Sequence, residues 1–127
     1  MNSRTWLADV SWELVVWQNL QLCNDKHAHH GSTSDGLSEC RDLWQSAQMK
    51  EMTLDDMVDF CRRCHRLAPF TNYNGNTFAA IARALIDGMG LPKENAAVAR
   101  SLAGHIVAGV ASEEEVKAFE KFCAGLE

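Results

Sequence analysis

The sequence predicts an all-α fold, a compact single-domain bundle of about six helices. Three observations lead there. The chain has 127 residues, and single domains cluster at roughly 100–150 residues. Its apolar residues recur every three or four positions almost throughout, the spacing of helices that bury one face. No segment alternates with the period of two that a half-buried strand requires. Apolar residues make up 46% and charged residues 23%, which suits a packed core and not a disordered chain.

Each element follows from local signals. Leu7, Val10, Leu14 and Trp17 are spaced as one helical stripe, widened by Trp6, Val16 and Leu20. They predict a first helix over about 4–22. The polar stretch from Asn24 to Gly36 reads as the longest loop. Leu37, Cys40, Leu43, Trp44 and Ala47 predict a second helix over about 37–50. Thr53 followed by Leu54-Asp55-Asp56 has the form of an N-cap with an acidic first turn. It opens a third helix over about 54–68, ended by Pro69.

Thr71 to Asn76 is turn-rich. Phe78, Ile81, Ala82, Leu85, Ile86 and Met89 predict a fourth helix over about 77–89. Pro92 sits at the first turn of a fifth, about 93–110, where Val98, Leu102, Ile106 and Val110 face one way. Ala99, Ala103, Gly104 and Gly109 on it leave room for close helix approach. Ser112 and the three glutamates after it start a sixth helix over about 113–125.

The charge balance narrows the function classes. Seventeen Asp and Glu oppose twelve Lys and Arg, for a formal net charge of −5. A domain that wraps nucleic acid presents a basic face, so general nucleic-acid binding is disfavoured. An acidic surface suits a basic protein partner, and equally suits solubility. No apolar run approaches the roughly 20 residues of a membrane span, so no membrane partner is expected. No secretory leader opens the sequence. With five cysteines, an odd number, the expectation is a cytoplasmic protein with reduced thiols.

Cys61-Arg62-Arg63-Cys64-His65 carries the most specific pattern. C-x-x-C-H is the c-type haem attachment signature, in which two thiols form thioethers and the histidine ligates iron. Its mid-chain position on a helical core stripe argues against haem. Two cysteines three apart on a helix also resemble the redox pair of all-α proteins of the alkylhydroperoxidase D type. In that family a histidine stands four residues after the second cysteine. Here Ala68 stands there, so the proton relay the resemblance implies is missing. A zinc site centred on Cys61, Cys64 and His65 would need a fourth ligand. The plainer reading makes both cysteines small buried hydrophobes.

Three further features are candidates. His27, His29 and His30 could ligate a transition metal; a solvated loop is the plainer reading. Arg66, Asn72, Tyr73, Asn74 and Asn76 could form a small-ligand pocket or contact surface. Their amides could equally satisfy local backbone, with Asn76 capping the next helix. Trp12 falls off the apolar stripe of helix one, the position of an interaction anchor. His105 reads as a structural histidine, and Asp55, Asp56 and Asp59 as a solvated acidic face.

No catalytic set stands out. The function expected first is therefore a small non-enzymatic protein that acts through protein–protein interaction as a regulator or inhibitor, with a homodimer among its arrangements. No cofactor is expected. The alternatives are a cysteine-centred redox or zinc protein and a small-ligand binder at the Asn-rich turn.

Overall fold

The structure is a computed structural model and describes residues 3–126. It has six helices: α1 (Trp12–Asp25), α2 (Gly36–Ala47), α3 (Leu54–Leu67), α4 (Asn74–Asp87), α5 (Lys93–Ala108) and α6 (Glu113–Ala124). The all-α bundle is thus observed. α3 packs against α2, α4, α5 and α6, and α4 with α5 forms the most extensive pairing. The small buried residues Ala96, Ala99, Ala103 and Gly104 let α5 come close. At Gly104 the guanidinium of Arg83 lies where a Cβ would stand.

Side-chain capping explains three of the six helix starts. Ser11 accepts from the Leu14 N–H at 3.2 Å. Thr53 with Asp56, and Ser112 with Glu115, form reciprocal capping boxes. Each satisfies N–H groups that a helix cannot bond internally.

The first helix departs from expectation. It begins at Trp12, not near residue 4. The segment before it is a strap. Arg4 and Met52 exchange backbone hydrogen bonds of 3.0 and 2.9 Å, and the Trp6 indole donates to the Met52 carbonyl at 2.8 Å. Trp6 and Leu7 are therefore buried from outside the helix. Their burial shifts the phase of the stripe. The buried face of α1 is Trp12, Val15, Asn19 and Cys23, whereas Leu14 and Trp17 are 48% and 54% exposed.

Trp44, fully buried, occupies the centre of the core. Its ring meets those of Phe60, Phe78 and Trp12 at centroid distances of 5.7, 6.1 and 6.4 Å. Its indole donates to the Val10 carbonyl at 2.8 Å.

Candidate functional site

The histidine loop and the Asn-rich turn, far apart in sequence, lie against each other. Ser32 and Phe70 form an isolated antiparallel bridge. Its backbone bonds, Thr33 N–H to the Pro69 carbonyl and Thr71 N–H to the Gly31 carbonyl, are both 3.0 Å. Thr33 Oγ1 donates to the Ala68 carbonyl at 2.8 Å. Gly36 completes the seam, since a Cβ there would fall 2.7 Å from the Ala68 carbonyl oxygen.

Asn19 sits beneath this junction, fully buried. Its Nδ2 donates to the Asn72 carbonyl at 2.8 Å and to Thr77 Oγ1 at 3.0 Å. A carbonyl only accepts, so the amide orientation follows. Asn19 Oδ1 then accepts from the Cys23 thiol at 3.6 Å and from His30 Nδ1 at 2.9 Å. His30 must carry its proton on Nδ1, which leaves Nε2 as the acceptor of a neutral ring.

The turn spends its amides on backbone. Asn74 Oδ1 accepts from Phe70 N–H at 2.9 Å, and its Nδ2 donates to the Phe70 carbonyl at 2.8 Å. Asn72 Nδ2 donates to the His29 carbonyl at 2.9 Å. Asn76, expected as the cap of the fourth helix, instead lies exposed inside it, because α4 begins at Asn74. Tyr73 is held at φ 57° as the residue before the helix. Arg66 and His27 are exposed and stand outside this network.

Trp12 does not project from the core face, as the sequence suggests. It is 7% exposed, nearly parallel to Phe70 at 6.0 Å. The His30 ring is tilted against Phe70, 6.3 Å between centroids. Trp12, Val16, His30, Leu37 and Phe70 line a cleft of about 220 Å³ beside Gly31 and Ser32. Three features separate in the sequence, Trp12, the histidine loop and the Asn-rich turn, thus converge. Phe70, Leu37 and Asn19 were not candidates. Asn19 alone left a sequence signal, a polar residue at helical spacing from Val15 and Cys23.

No family model, curated protein or solved structure matches the chain. The site must therefore be read from its own residues.

Cys61 and Cys64 are fully buried. Burial, then the neighbouring Cys40, pushes the Cys61 thiol up to about 12. A side-chain hydrogen bond with Cys40, followed by burial, raises Cys64. Both effects disfavour the thiolate that redox and metal chemistry need. His65 turns away to the end of α5: its Nδ1–H donates to the Val107 carbonyl at 2.8 Å. Arg62 Nη1 donates to the Ile106 carbonyl at 2.9 Å. Two residues of the C-x-x-C-H segment thus satisfy terminal helix carbonyls. Among the described residues, no three His, Cys, Asp or Glu side chains are placed to hold a metal ion.

An apolar surface lies uncovered on α1 and α4. Between α1 and α4 runs a shallow groove of about 140 Å³, with Val10, Leu14, Trp17, Ile81, Ala84 and Leu85 in its walls. None of these side chains is charged. Trp17, expected in the core, stands at its edge.

Proposed function

We propose that the protein is a non-enzymatic interaction module that pairs with a second copy of itself through the α1–α4 face. The observation that carries this reading is Trp17, a tryptophan 54% exposed beside an apolar groove. Tryptophan is the residue most enriched among interface anchors. A projecting indole next to a groove is self-complementary: a two-fold axis sets each Trp17 against the other copy's groove. Charge selects this face for a contact between two copies. Two molecules of net charge −5 repel, and an uncharged contact face is where that repulsion is least.

Sedimentation velocity over a wide concentration range tests the reading. We expect a monomer–dimer equilibrium in the wild type. Trp17→Glu places two charges in the pairing and shifts the chain to monomer with an unchanged helical circular-dichroism spectrum. A wild type that stays monomeric at every concentration, or a Trp17→Glu dimer as tight as the parent's, overturns the proposal.

A further inference from the structure

Three of the four tryptophans are buried, and two bond their indole N–H to backbone: Trp6 to Met52 and Trp44 to Val10, each at 2.8 Å. Trp12 is the exception. It is more than nine-tenths buried, yet no group among the described residues accepts from its indole nitrogen. A buried tryptophan N–H normally finds an acceptor. No side-chain polar atom sealed from solvent among the described residues lacks a partner, so this N–H is open to solvent. Trp12 lines the cleft beside Phe70 and His30.

Residues that line the cleft carry three recognition elements. Trp12 and Phe70 supply aromatic walls. The Trp12 N–H is an unused donor. His30, fixed through Nδ1 by Asn19, has an Nε2 with no partner among the described residues. No acidic residue, lysine or arginine lines the cleft, which disfavours a charged ligand. Its volume is about 220 Å³, and a dry apolar cavity of about 150 Å³ already takes benzene.

We infer that this cleft binds a small neutral aromatic compound, of one or two rings, that carries both a hydrogen-bond acceptor and a donor. The ring enters against Trp12 and Phe70. Its acceptor takes the Trp12 N–H, and its donor reaches His30 Nε2. This site is separate from the α1–α4 face and does not depend on self-association.

Benzamide is a suitable probe, since its carbonyl accepts and its amide donates. Benzene lacks both groups, and cyclohexanecarboxamide lacks the ring. The readout is the set of four tryptophan indole N–H resonances in a proton–nitrogen correlation spectrum, with that of Trp12 assigned by its loss in Trp12→Phe. We expect benzamide to shift the Trp12 resonance in a saturable way, and each control to bind at least about tenfold more weakly. Trp12→Phe keeps an aromatic ring, removes the donor, and, read from the backbone amide shifts of Gly31 and Ser32 in the same cleft, should weaken benzamide about tenfold, the effect of one lost hydrogen bond. Leu37→Trp, at a half-buried position on the rim, should abolish binding. No saturable shift of Trp12 in the wild type overturns the inference, a result that needs no variant to fold. Equal binding of benzamide and the two controls overturns it as well.

Discussion

Ala68 is a small residue in a costly conformation. It closes α3 at φ 48°, in the left-handed region, where the backbone of an L-residue costs roughly 1–2 kcal/mol. Glycine usually fills such a C-cap. Ala68→Gly relieves the strain but adds freedom to the unfolded chain, worth about 0.4–1 kcal/mol. The net expectation is a gain of about 0.5–1 kcal/mol, read from the urea midpoint; a loss of stability would show that the Ala68 methyl packs for more than its backbone costs. The sequence placed the end of this helix correctly, through Pro69, because the rule is local. It could not show that His65 reaches across to Val107, 42 residues away. That contact depends on which helix ends meet, and hydrophobic spacing carries no such information.

At the scale of elements, the joint between α5 and α6 is electrostatic. His105 Nδ1 on α5 donates to Glu115 Oε2 on α6 at 2.5 Å. Glu115 Oε1 also accepts the Ser112 N–H at 3.2 Å. The bond from His105, then that from Ser112, hold the Glu115 carboxyl below its ordinary value of 4.5. A lowered carboxyl contributes stability that is present above the ordinary value and lost as pH falls through the lowered one. Glu115→Gln keeps the capping box and removes the charge. We expect its melting temperature to fall below wild type at neutral pH and the gap to close in acid, as pH falls through the lowered carboxyl. A gap that persists in acid would assign the effect to packing.

Helix spacing made all six elements legible, because each buries one face. It failed on the phase of α5, where Val98 and Val110 are exposed and the small residues Ala96, Ala99 and Ala103 are buried instead, and on the phase of α1. Trp6 and Leu7 look like the first turn of a stripe, but their burial comes from the strap against Met52. Counting them in rotates the predicted face and exchanges the fates of Trp12 and Trp17. The Asn-rich turn is the opposite case. Its amides satisfy backbone, as short polar side chains near turns commonly do, and this was readable from composition alone. Its meeting with the histidine loop was not.

Across the whole molecule the thiols report how the fold opens. Cys23, Cys40, Cys61 and Cys64 are buried, and Cys123 is half-buried. Burial first, then Asp55, Asp59 and Glu120, raises Cys123 to about 12. Burial shuts reagent out from Cys23, Cys40, Cys61 and Cys64, and the reactive thiolate is disfavoured at Cys61, Cys64 and Cys123, so all five should react slowly with a thiol reagent at pH 8, Cys123 first. All five should react quickly in denaturant. Two fast thiols in the native state, lost in Cys61→Ser, would return the C-x-x-C-H segment to consideration as a redox centre.

The strap that crosses to Met52 also bears on the order of folding. α4 and α5 are neighbours in sequence and form the most extensive pairing, so their association closes only a short loop. Trp6 must instead wait for a partner 46 residues downstream, and Val10 for Trp44, 34 residues on. Loop closure costs more with length, and contacts distant in sequence slow the search. During synthesis the turns around Trp6 and Leu7 have no surface to bury against until α2 and the start of α3 have left the ribosome. A strap made before its partners is thus among the last parts of the fold to settle, and until then two large apolar side chains stay open to chaperones or to a neighbouring nascent chain.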